Sequence, residues 1–315
     1  MELETTIAKN IRVSDAGARY DAACKRLLSE RIILAWIMKS CLQEYRELDV
    51  KEIAEKYIVG QPVVGEAPVG QDEPSAGSQI YGSGVEDVSL HEGTITYDIC
   101  FRAAAPVSGE LIGLIINIEA QNQFYPGYPL IKRGIYYCSR LISAQYGIEF
   151  TGAQYGKIKK VYSIWICMNP PENRKNSINT YSLRENNLVG GVKEPIQNYD
   201  LLSVVMICLG RPEESGRADI LKLLDVLLSS ETGQGEKRRI LEEEFDIPMT
   251  EHMEQEVSLM CNLSQGILEK GVEKANLSAI RALMETAGVS IEKAMDLLKI
   301  EERERPGLRK ALEEQ

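Results

Sequence analysis

Two stretches of the chain carry the strongest strand patterns, residues 94–101 and 111–121. Side chains alternate across a strand. Thr94, Thr96, Asp98 and Cys100 therefore fall on one face, with Ile95, Tyr97, Ile99 and Phe101 on the other. In the second stretch Asn117, Glu119 and Gln121 oppose Leu114, Ile116 and Ile118. Pro106-Val107-Ser108-Gly109 between them is a turn sequence, Pro presetting φ and Gly tolerating φ > 0. A hairpin of this kind brings Asp98 near Glu119 on one side of a sheet whose other side is core. Two such carboxylates repel, and they hold a cation or share a proton unless both are simply solvated. The continuous apolar run 111–118, ending abruptly in Glu-Ala-Gln, favours the functional alternative, because chemistry gathers where buried strands end.

Elsewhere the pattern is helical or strand-like in blocks. Residues 1–20 read as an extended lead-in. Apolar positions from Leu27 to Tyr45 recur at helical spacing, with Asp21 as N-cap, and 50–58 predicts a short second helix. The Pro- and Gly-rich span 61–87 predicts a flexible loop. A helix is predicted over 130–146, packing through Ile135, Tyr136, Ser139, Ile142 and Ala144, with Tyr137 partly in the core. Buried strands are predicted at 161–168 and 201–209, with an edge strand at 178–183. From 211 to 315 the texture is helical: 220–228, 235–246, 250–270, 277–286 and 290–300 with Ser290 as N-cap, then a charged tail helix. The pair around Gly288 reads as a structural hairpin rather than a DNA-reading helix-turn-helix, its second helix being acidic.

Charge sharpens this picture. The chain of 315 residues carries a net −11, which excludes a protein coated in nucleic acid over its whole surface. Between Phe124 and Trp165, however, Lys132, Arg133, Arg140, Lys157, Lys159 and Lys160 face the single acid Glu149, a local balance of 6 − 1 = +5. Such a patch beside an acidic pair suits a polyanion, with Tyr125 and Tyr128 among the tyrosines available for stacking or phosphate contact. Residues 231–256 reverse the sign, with nine acids against three Lys and Arg, and suit a partner protein better than DNA. Seven dispersed cysteines without a CxxC pair read as free buried thiols, and two histidines leave little for a His-rich zinc site. The N-terminus lacks a signal-peptide layout, and no apolar run reaches membrane-spanning length, so the expected location is cytoplasmic, with no membrane partner.

Asp98, the hairpin and Ile118-Glu119-Ala120-Gln121-Asn122 resemble the PD-(D/E)XK nuclease motif. The likeness is to the variant with Gln at the Lys position in the recombination-promoting nuclease (Rpn) and transposase-like branch. Tyr125 to Arg140 resembles the helix that follows the motif there, and Val161 to Ile166 the next strand. The resemblance implies an α/β fold with a restriction-endonuclease-like mixed sheet flanked by helices over 21–210, followed by a helical C-terminal region over 211–315. It also implies metal-dependent DNA endonuclease activity. Asp98, Glu119 and Gln121 would be catalytic; Asp98, Glu119 and the Ala120 main-chain carbonyl would hold Mg²⁺, and Glu30 on the first helix is the further acid able to approach. Gln121, being uncharged, would orient water or touch phosphate, leaving activation to the ion. DNA is the expected partner, and double-strand cleavage by one site per chain would favour a homodimer. The alternatives are a DNA-binding protein that keeps this fold without cleaving, and a protein-interaction module using the acidic helices.

Overall fold

In the computed structural model the described residues are 18–65, 86–89, 93–106, 111–119, 124, 127–210, 219–229, 232–302 and 304–313. They form a mixed α/β structure. The expected single first helix is two: α1 over residues 18–28 and α2 (Arg31–Cys41), interrupted at Ser29-Glu30. Asp21 lies inside α1 and is not its N-cap. After α2 come a 3-10 turn (Gln43–Tyr45), the short α3 (Val50–Glu52) and a π-helical turn (Ile53–Tyr57).

Strand β1 (Ile58–Val64) occupies the start of what the sequence predicts as loop. Its pattern was hidden by Gly60, at φ 70°, and Pro62, which mark a shift in register between Val59 and Val63. Both residues are tolerated because β1 is an edge strand, where a lost ladder donor faces outward. Arg31 ties this edge to α2 by donating to the carbonyls of Ala54 (2.9 Å), Ile58 (2.8 Å) and Gly60 (2.8 Å).

The run 94–101 is not one strand. β2 (Glu86–Ser89) and β3 (Gly93–Thr96) pair as a separate two-stranded sheet. The chain breaks at Tyr97-Asp98 and then enters β4 (Ile99–Ala104). The predicted hairpin is present: β4 pairs antiparallel with β5 (Leu111–Glu119). From β5 the chain passes through α4 (Leu130–Ser143) to β6 (Val161–Cys167), parallel to β5. Edge strand β7 (Ser177–Ser182) follows, then β8 (Leu202–Cys208), parallel to β6 and antiparallel to β7. The sheet order is β1-β4-β5-β6-β8-β7. β6 is buried at every position and β8 from Ser203 onward, as a continuous apolar run requires when both faces of a parallel pair are covered.

Helix α4 packs on β6 and β8 through Leu130, Gly134, Tyr137 and Cys138, whereas Ile135, Tyr136 and Ser139 are exposed. That shifts the packing face from the predicted one. Gly134 explains the shift: a Cβ there would lie 2.6 Å from Val204 Cγ1 and 3.0 Å from Trp165 Nε1, so the helix backbone itself meets the sheet. Tyr162, on the opposite face from Trp165, donates to Glu44 Oε2 at 2.8 Å; Lys160 lies 2.9 Å from Glu44 and is also paired with Asp200.

The helices after β8 are α5 (Asp219–Leu228), α6 (Gln234–Glu243), α7 (Glu251–Ala287), α8 (Ile291–Leu297) and α9 (Arg305–Glu313). α7 absorbs two predicted helices into one of 37 residues. The compact α/β unit spans Asp21–Val257, so it extends beyond the expected boundary at 210 and includes α5, α6 and the start of α7. Trp36 of α2 meets Phe245 edge-on at 5.4 Å, and Lys237, fully buried, donates to the Leu227 and Ser229 carbonyls that end α5. A second unit includes Ser258–Gln315, with its own core of Ile280, Ala294, Met295, Ile300 and Leu308. Ser290 caps α8 as expected, accepting from Lys293 N at 3.3 Å. No helix among the described residues is long and apolar enough to cross a membrane.

Candidate active site

The antiparallel register between β4 and β5 begins at Ile99↔Ile116. Asp98 is the residue just before that pair, in the bend that leads into β4, and Glu119 is the last residue of β5, three positions beyond Ile116. Both acids therefore belong to the same end of the sheet, where the parallel strands β5, β6 and β8 finish. Crossover connections of α/β sheets leave their crevices at such an end. The break at Asp98 is held from both sides. Its carbonyl accepts from Gly65 N at 2.8 Å, and the neighbouring Tyr97 is buried and set edge-on against Tyr137 with ring centroids 5.2 Å apart. Tyr137 in turn lies 5.6 Å from Trp165.

The side chain that meets Asp98 is Lys25. Its Nζ lies 2.9 Å from Asp98 Oδ1 and 2.6 Å from Asp21 Oδ2, and the residue is only 8% exposed. Burial pushes the ammonium pKa down, but hydrogen bonds and charge from Asp21 and Asp98 together outweigh it, and the net shift is upward from 10.5. Lys25 is therefore a protonated ammonium at neutral pH, suited to stabilising negative charge and unsuited to accepting a proton. No motif in the sequence marks it. The available signal was Asp21 and Lys25 at i,i+4 on an apolar helix, but no pattern along the chain connects them with Asp98.

Glu30 is placed otherwise than expected. It stands before α2, and its Oε1 lies 3.0 Å from His252 Nδ1 on α7. Among the described residues no three His, Cys, Asp or Glu side chains form a group able to hold a metal ion. Ala120, Gln121 and Tyr125 lie outside the described residues, and Glu119 is placed by its backbone register.

The basic segment separates into different roles. Lys132 and Lys157 are exposed, as is Tyr128, and Lys159 is half-buried. The main chain of Lys159 exchanges two hydrogen bonds with the Gln145 amide, at 2.9 and 2.7 Å. Arg133 is half-buried; its Nε donates to Tyr137 OH at 2.8 Å, and its guanidinium lies over the Tyr137 and Trp165 rings. Two of the expected contact residues are turned inward or paired. Arg140 is buried, and Lys160 is neutralised by Glu44 and Asp200 beneath the surface. Sequence separation hid this pairing: the acids come from 44 and 200, outside the window over which the local charge was counted. Comparison with protein-family models, characterised proteins and solved structures finds no match to this chain.

Proposed function

We propose that the protein is a metal-dependent DNA endonuclease with a restriction-endonuclease-like core of the PD-(D/E)XK type. The observation that supports this reading is the antiparallel β4–β5 pair, with Asp98 just before β4 and Glu119 at the end of β5, and a buried cation, Lys25, on Asp98. The residues the resemblance names for the ion, Asp98 and Glu119 with the Ala120 carbonyl, are all oxygen donors, the type a hard divalent ion such as Mg²⁺ takes. When bound, such an ion supplies charge neutralisation on the scissile phosphate and acidifies water.

The chain's own residues do the rest. Lys25 holds Asp98 in place and offers a fixed positive charge toward a phosphate seated at this end of the sheet, the contribution that an uncharged Gln121 does not make. Gln121, which lies outside the described residues, would orient water through its amide. Lys132, in the first turn of α4 and exposed, contacts the phosphate backbone, with Tyr128 beside the same helix start available for stacking.

A second reading, a DNA-binding protein that does not cleave, is favoured by one feature: the recorded ion pair already satisfies Asp98 with a lysine. Nicking of supercoiled plasmid with Mg²⁺ titrated from zero separates the two. Cleavage that requires Mg²⁺ and is lost in Asp98→Asn supports the nuclease; retarded DNA with no nick at any Mg²⁺ concentration supports the second reading.

A further inference from the structure

The end of the sheet that carries Asp98 and Glu119 also carries two thiols. Cys167 closes β6 and Cys208 closes β8, and the two are direct register partners. Adjacent strands lie about 4.8 Å apart, inside the roughly 4.4–6.8 Å Cα window of a disulfide. Both side chains belong to the same core cluster beside Trp165 and Met206, so they are on one face. Neither is in a disulfide, and they are hydrogen-bonded to each other.

We infer that Cys167 and Cys208 form a reversible dithiol–disulfide site, oxidised by small hydroperoxides. Their surroundings differ from those of the other buried thiols. Burial alone pushes Cys41 up to about 12, and it does the same to Cys100 and Cys138 against weaker opposing contacts. At Cys208 the hydrogen bond with Cys167 comes first and acts downward; burial opposes it, and Ser177 and the Arg174 guanidinium add to the lowering. The net direction is below the usual thiol value, and Cys208 is the thiol whose register partner on the other side is the half-buried Ser177 of edge strand β7, so Cys208 is assigned as the nucleophile and Cys167 as the resolving thiol. Both thiols are themselves buried, and the exposed Arg174 with the half-buried Ser177 marks the β7 side as the way by which a small oxidant would come in.

In the first step the Cys208 thiolate attacks one oxygen of hydrogen peroxide. The O–O bond breaks, hydroxide leaves, and Cys208 becomes a sulfenic acid. In the second, the Cys167 sulfur attacks Cys208 Sγ, its proton joins the departing hydroxyl, and water leaves as the S–S bond forms. Two electrons pass from the thiol pair to one peroxide. A thiol reductant reverses the change by exchange. The inference does not rest on the nuclease reading. Because Cys167 is also the register partner of Glu119, the linkage would lie directly beside that site.

The test is peroxide treatment of the reduced full-length protein, alkylation after denaturation, and peptide mapping without reductant. The expected product is one peptide pair joining Cys167 to Cys208, lighter by two hydrogens and restored by dithiothreitol, with Cys24, Cys41, Cys100, Cys138 and Cys261 alkylated. Cys167→Ser should halt at a Cys208 sulfenic acid that dimedone traps. Full alkylation of both cysteines after peroxide, or linkage through other cysteines, would overturn the inference, and the wild-type map alone decides this even if the variant does not fold.

Discussion

Lys25 on α1 places its ammonium 2.9 Å from the carboxylate of Asp98 at the entrance to β4. The same nitrogen reaches Asp21, so one buried lysine serves two acids from two elements. This joins the first helix to the break in the sheet from which the proposed site is built. It also changes what the acid variants should do.

Asp98→Asn and Glu119→Gln should each abolish Mg²⁺-dependent nicking. From the acidic pair alone one would expect Asp98→Asn to relieve repulsion and stabilise the protein. The Lys25 contact predicts the opposite, because a charged hydrogen bond is weakened in a poorly solvated place. The cost should be on the order of 1 kcal/mol, read from the midpoint of urea unfolding. A stabilised variant would show that Lys25 does not hold Asp98 in solution.

Lys25→Met should remove nicking and reduce stability by about 2 kcal/mol, since both carboxylates lose a charged partner while remaining partly open to water. Its pH dependence has a definite sign. A lysine whose folded pKa is raised stabilises fully below its unfolded pKa, near 10.5, and this contribution disappears as pH rises through the folded value. Unfolding midpoints measured from pH 8 upward should therefore fall less steeply above pH 10.5 in Lys25→Met than in the wild type. Parallel curves would count against the pairing.

Glu44 gives the complementary acid limb. Burial pushes its carboxyl up, but the Lys160 hydrogen bond and charge, with the Tyr162 hydroxyl, outweigh it and leave the group below 4.5. Stability from Glu44 is present above the unfolded pKa and lost as pH falls through the folded one. Glu44→Gln should be less stable at neutral pH, and its stability should decline less between about pH 5 and pH 3. An unaltered acid slope would rule this role out.

Lys132 and Lys160 should separate on DNA. Lys132→Ala should lower the salt slope of binding by about 1, whereas Lys160→Ala should leave the slope unchanged and lower stability. Equal slope changes in both would place Lys160 on the phosphates despite Glu44 and Asp200.

Gly134→Ala tests how α4 is seated. The added methyl must displace Val204 and Trp165, and overpacking of this kind costs about 1–3 kcal/mol. A thermally neutral variant would mean that α4 is free to lift from the sheet.

Local patterning determined much of this protein. Continuous apolar runs marked β5, β6 and β8; β6 and β8 are buried on both faces and need no alternation, and helical spacing marked α4, α5 and α8. The turn signal at 106–109 marked a hairpin whose strands do pair, although Asp98 falls in the bend before β4 rather than on the strand. What failed depended on partners distant in the chain. β1 carries Gly60 and Pro62, which read as loop until an edge position makes them tolerable. The face of α4 was decided by Gly134, whose missing side chain carries no hydrophobic signal yet allows the closest approach. Lys25 and Lys160 looked like ordinary basic residues, because a charge is neutralised by whatever folds against it. Only the tertiary structure brings Asp98 to the first, and Glu44 with Asp200 to the second.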